Sequence, residues 1–187
     1  MESSTFWFGI VPVIAFVLLE SFAGKRMAIV IALVLACAEL VFSLAVYGAI
    51  DELTILAFVI VFIAGAISVK TGNDLYFKLQ PALVSVATAA AFFIYYYLLD
   101  RPLLTFMMHK YLPSMLAQLP ADRQTLFEGT MRVLSRDLIF WFLLHAAATA
   151  YAAMRLSKWW WFAIRVPGLY LMLFLATFIA VRGVIPA

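Results

Sequence analysis

Long stretches without charge recur along this chain, and they constrain it more than any motif does. A bilayer core of about 30 Å takes about 20 helical residues, with a range of roughly 17–25. Ser3–Leu19, Met27–Ile50, Leu53–Val69, Leu79–Leu99, Leu138–Met154 and Val166–Val181 meet or approach that length, and the acidic, basic or histidine residues within them are Glu39 and His145. Apolar residues make up 67% and charged residues 12%, against roughly 45–50% and 25% in soluble domains. Too few polar side chains remain to cover a soluble fold of this size. The sequence therefore predicts an integral membrane protein.

The expected fold is all-α, a polytopic membrane helix bundle with five or six transmembrane or re-entrant helices. It forms a single transmembrane helical domain over residues 1–187. Helices are expected near 5–22, 27–50, 53–70, 79–99, 138–155 and 164–182, with an amphipathic surface segment in a long loop at 100–137. Pro81, Pro102 and Pro167 sit where first helical turns would begin, a position at which a missing N–H costs nothing. Tyr95–Tyr97 and Trp159–Trp161 read as interfacial aromatic belts, the Trp run being otherwise legible as a ligand platform. Gly9 and Pro12 interrupt the first segment, leaving it a kinked span or a re-entrant hairpin. It carries no basic n-region, so it reads as retained rather than as a cleaved signal. Lys and Arg divide almost evenly between alternate loops, so charge does not orient the bundle.

Ionisable residues inside a bilayer are costly and are functional candidates by default. Glu39 and His145 form one such candidate, an intramembrane polar pair at matching depth that could relay protons or hold a cation. The plainer alternative is that each satisfies itself by hydrogen bonding to a neighbouring helix. The single Cys37 excludes an intrachain disulfide and reads as a packing residue. No zinc-protease, nucleophile-elbow or phosphate-loop motif occurs. Catalytic residues, metal ligands and cofactors are accordingly expected to be none, and no Lys/Arg run is dense enough for nucleic acid.

One ordered series of motifs goes further. Asn73-Asp74-Leu75-Tyr76-Phe77-Lys78-Leu79-Gln80-Pro81 precedes the fourth segment, and Arg101-Pro102-Leu103-Leu104 closes it. Trp161 is followed by Ile164-Arg165-Val166-Pro167-Gly168, entering the last segment. The series resembles the intracellular septation protein A family, with its Asn-Asp-x-Phe-Ile-Lys-Trp-Lys-Pro-Thr, Lys-Lys-Pro-Leu-Ile and Trp-x-Asn-Phe-Lys-Val-Phe-Gly patterns. Pro12 and Phe16 fit its amino-terminal pattern, and Thr149-Ala150-Tyr151-Ala152-Ala153 its Asn-x-Tyr-x-Ala. Departures are Leu79 for Trp, Gln80 for Lys, Thr149 for Asn, and a longer loop after Pro102. Glu39 and His145 match no family motif.

The resemblance implies a bacterial inner-membrane protein, multi-pass, with a cytoplasmic carboxyl terminus. It implies a role in cell-envelope biogenesis, membrane homeostasis, septation and cell division, and no reaction. The chain is then expected to act as a non-enzymatic interaction partner or scaffold. Its partners would be membrane lipids, including anionic headgroups, and envelope or division membrane proteins, and a homo-oligomer is compatible with this. A small transporter or channel using Glu39 and His145 is the alternative. Lys78, Arg165 and Asp74 are the candidate lipid- or partner-contacting residues. Lys78 and Arg165 are placed at helix starts, where a cation opposes the macrodipole, so an anion such as lipid phosphate or Asp74 is expected beside them.

Overall fold

The computed structural model describes residues 11–47 and 52–184, apart from the side chains at 11–13, 39, 43, 46–47 and 52–54. Its elements are helices: α1 (Val11–Phe22), α2 (Lys25–Tyr47), α3 (Glu52–Thr71), α4 (Leu75–Phe93), α5 (Leu103–Tyr111), α6 (Pro113–Ala117), α7 (Ala121–Arg155), α8 (Lys158–Arg165) and α9 (Pro167–Val184). No strand occurs among the described residues. Three helical runs are long and apolar enough to cross a membrane: Leu75–Leu98, Ala121–Arg155 and Lys158–Val184, while the apolar run Ile55–Thr71 is shorter. The protein is a membrane protein. The amino-terminal part of the first expected helix, including Gly9, lies outside the described residues.

Local chemistry sets the turns. Gly24 (φ +79°) and Gly72 (φ +70°) follow α1 and α3 in the left-handed region, which glycine enters without steric cost. After Gly72, the Asn73 side-chain oxygen accepts from the Leu75 N–H at 3.0 Å. The Lys78 N–H bonds the Asp74 carbonyl at 3.0 Å, so α4 is launched from this short polar turn. Past Phe93 the helix widens into a π segment, Ile94–Leu98, with the Leu99 N–H on the Ile94 carbonyl at 3.0 Å.

Several expected boundaries are corrected. The stretch 100–137 carries the short helices α5 and α6 and does not end as a loop at 137. Its second half is the start of α7, one helix of 35 residues continuous through to Arg155. Arg136 and Asp137, read as the polar end of a loop, pair with each other at 2.9 Å on the exposed side of α7, and the backbone ladder runs past them. Pro81 is not in a first turn but inside α4. The last expected helix is divided into α8 and α9 at Val166, because Pro167 opens the second piece and cannot continue the ladder of the first.

The chain divides into two compact units, one of Met1–Val84 with Ala146–Pro167 and one of Ser85–His145 with Gly168–Ala187. In the first, Phe16, Val17, Ala28, Ile29, Ala32, Phe77, Ala152 and Trp161 form the buried core. Small residues let the α2 and α3 backbones approach: a Cβ at Gly65 would stand 2.6 Å from Leu33 Cδ2. In the second unit, Phe92 stacks on Phe142 at 5.8 Å between ring centroids. There the fully buried Ser135 accepts the Leu104 N–H at 3.2 Å and donates to the Met131 carbonyl at 2.7 Å. That hydroxyl caps α5 from another helix, where Pro102 supplies no side-chain cap.

Candidate functional site: a polar cluster on the first unit

Asp74 and Lys78 stand one turn apart at the start of α4 and meet at 2.5 Å. Lys25, the first residue of α2, reaches the other Asp74 oxygen at 2.9 Å. Lys78 Nζ also lies 3.7 Å from Glu20 Oε1, and Lys158 Nζ lies 4.0 Å from Glu20 Oε2. Lys158 further donates to the Ser21 hydroxyl and to the Val17 carbonyl, the latter at 3.4 Å. The side chains of Glu20, Asp74 and Lys78 are 10, 12 and 15% exposed, so these contacts form with most water removed. Glu20 Oε2 makes no hydrogen bond among the described residues.

Burial alone would raise the Asp74 carboxyl. The hydrogen bonds and charges of Lys78 and Lys25 outweigh it and hold the group below its ordinary value. Reciprocally, the hydrogen bond and charge of Asp74 raise Lys25 above the ordinary lysine value. This network answers the dipole conflict at Lys78: the cation near the α4 start is offset by two carboxylates. Arg165 needs a different account from the one expected. It ends α8 rather than starting the last helix, and a cation there complements the macrodipole.

Trp161 ties the cluster to Arg165. It is fully buried, so it does not belong to the aromatic belt expected of the Trp run, whereas Trp159 and Trp160 are 57 and 64% exposed. Its Nε1 donates to the Lys78 carbonyl at 2.9 Å. Pro81 cannot donate to the Phe77 carbonyl, so the indole supplies a donor one residue along from that gap in α4. The Phe16 ring lies at 4.6 Å from Phe77 and 5.9 Å from Trp161, centroid to centroid. The Arg165 guanidinium lies 5.1 Å from the Trp161 ring centroid. With the Gln80 amide turned so that its oxygen faces Arg165, that oxygen accepts from Nη2 at 2.6 Å and Nη1 at 3.0 Å. Lysine at position 80, as in the resembling pattern, has no acceptor to offer; Gln80 and Arg165 make a pair that two lysines could not.

Asp74 and Lys78 are thus in contact, and Trp161 and Gln80 link them to Arg165. Glu20, Lys25 and Lys158 complete the cluster unannounced by the motifs. Three lysines face two carboxylates, and Arg165, held by Trp161 and Gln80 rather than by a carboxylate, adds a further cation beside them. The intramembrane pair has a different outcome. Glu39 lies on α2 with its side chain outside the described residues. His145 belongs to the second unit, where its Nδ1 is 2.9 Å from Ser85 Oγ. Among the described residues, no three His, Cys, Asp or Glu side chains are grouped to hold a metal ion.

The motifs that converge on this cluster are matched as a whole. The family model described as Intracellular septation protein A covers residues 5–185. The chain belongs to the intracellular septation protein A family. No curated protein and no solved structure matches it.

Proposed function

We propose that this septation-family protein serves cell-envelope biogenesis, membrane homeostasis and septation as a non-enzymatic interaction partner or scaffold. It would act as a multi-pass protein of the bacterial inner membrane. The observation that carries this reading is the convergence of separate family motifs on one packed cluster. Asp74 and Lys78 come from α4 and its leading turn, and Trp161 and Arg165 from α8. A cluster of paired charges with a cationic excess suits recognition of an acidic surface, either an anionic headgroup or a carboxylate of a membrane partner.

Its carboxyl terminus is proposed to be cytoplasmic, on the side of Ser114, because two runs long enough to span follow that residue. Cysteine labelling at Ser114 and Ala187, with Cys37 replaced, should then give equal accessibility.

The deciding experiment is photocrosslinking in dividing cells from position 76, since Tyr76 is 43% exposed and lies between Asp74 and Lys78. Adducts with envelope or division membrane proteins that disappear in Lys78→Glu support the reading. Unchanged adducts in that variant would refute the cluster as the contact. A proton or ion flux in proteoliposomes that Glu39→Gln abolishes would replace the scaffold with the transporter alternative.

A further inference from the structure

A second feature of the first unit is unused by this reading and independent of it. Between α2 and α3 runs an open apolar groove of about 600 Å³, walled by Val30, Val34 and Cys37 on one side and Phe62, Ala66 and Val69 on the other. The spacings of four and then three residues keep each wall on one helical face. Arg26 and Lys70 also line this groove. Arg26 is the second residue of α2 and Lys70 the last but one of α3, so both cations stand at the same end. Both are exposed, and among the described residues neither is paired with a carboxylate.

From Arg26 to Cys37 the helix rises about 16 Å at 1.5 Å per residue. One leaflet of the hydrocarbon core is about 15 Å deep. The groove therefore has the depth of one leaflet, with its charges at the headgroup level and apolar walls below them. Lys70 suits the end of its own helix, but Arg26 opposes the macrodipole of α2, so local helix energetics do not account for it. The free N–H groups of that helix start add to the positive field and favour an anion. Lys25, next to Arg26, is held on Asp74 and fixes the mouth of the groove to the turn before α4.

We propose that this groove holds one anionic phospholipid, its phosphate between Arg26 and Lys70 and an acyl chain along Val34 and Ala66. The occupant is a lipid rather than a free phosphate because most of the site is an apolar channel, which a free anion cannot fill.

The test is native mass spectrometry of the full chain released from vesicles of equal phosphatidylglycerol and phosphatidylcholine. The wild type should retain phosphatidylglycerol preferentially. Joining Arg26→Gln to Lys70→Gln should lower that preference about thirtyfold, the order expected of losing two cations near anionic lipid, and each single change should lower it part-way. Ala66→Leu, which fills the channel and leaves both charges, should reduce retention of both lipids. Lys110→Gln with Arg123→Gln, in α5 and α7, should change nothing. Equal losses from that control pair, an unchanged preference in the Arg26/Lys70 variant, or displacement of the lipid by millimolar inorganic phosphate would each overturn the proposal.

Discussion

The indole of Trp161 and the backbone of Lys78 are joined by a 2.9 Å hydrogen bond, across 83 residues of sequence. One side chain thereby links α8 to the turn of α4 that carries the cationic partner of Asp74, just before Pro81. Trp161→Phe keeps most of the packing and deletes the donor. It should cost about 1–3 kcal/mol, the penalty of an acceptor left unmet. Trp161→Ala should cost about 3 kcal/mol or more through the cavity. Thermal melts in one detergent measure both, and an unchanged melt in Trp161→Phe would show that the hydrogen bond contributes nothing.

Stability should depend on pH through Asp74 and Lys25. The Asp74 carboxyl is held below its ordinary value in the fold. Its contribution is therefore complete above the ordinary carboxyl range near 3.8 and is lost as pH falls through the depressed folded value. Lys25 is raised above 10.5, so its contribution is complete below that and is lost as pH rises through the raised value. Asp74→Asn should flatten both limbs, since one carboxylate supports them both. Melting temperature followed from pH 2 to 12 would detect this, and an acid limb surviving in Asp74→Asn would assign it to other carboxylates.

Gly65 makes a graded prediction. A Cβ there meets the end of the flexible Leu33 side chain, which can swing aside, and alanine gains about 1 kcal/mol of helix propensity. Gly65→Ala should be close to neutral. Gly65→Leu cannot be absorbed in this way and should cost about 1–3 kcal/mol by overpacking. Leu33→Ala should recover part of that loss in the double variant. Failure of the rescue would mean that Leu33 is not the obstacle.

Ser135→Ala should act at a distance in sequence. Removing the hydroxyl leaves the Leu104 N–H without its acceptor, at a helix start that already lacks a side-chain cap. Hydrogen exchange at the α5 amides should quicken about tenfold, the factor that corresponds to a loss of about 1.4 kcal/mol. Unchanged exchange there would remove Ser135 from its capping role.

The all-helical class and the apolar runs were legible because lipid allows few other structures to cross it. The Asp74–Lys78 contact was legible too, since residues four apart share a helix face. Glu20 was not: it completes Lys78 from 58 residues away, and no spacing rule reaches that far. Trp161 misled because a run of three tryptophans suggests one environment, while a helix turns each ring by about 100° and buried only the third. Arg136-Asp137 misled for a related reason. Two opposite charges look like the end of a span, yet they neutralise each other on the exposed side of a helix that continues. Pro81 misled because a proline is read as a first-turn residue, whereas here it stands within α4.

The length of α7 bears on how the protein is built. Its 35 residues make a rod of about 52 Å, which at a tilt of 40° still rises about 40 Å, more than a bilayer's core of about 30 Å. Part of α7 must therefore stand beyond the hydrocarbon, and the polar amino-terminal half, with Asp122, Arg123, Glu128 and Arg132, is the half suited to do so. A polar stretch of that length is marginal as a separate helix in water, because nucleation is costly. Attached to an apolar half that lipid has already made helical, it needs only propagation, one bond per residue. The apolar half of α7, once lipid has made it helical, would thus serve as the nucleus for the polar half that stands beyond the hydrocarbon.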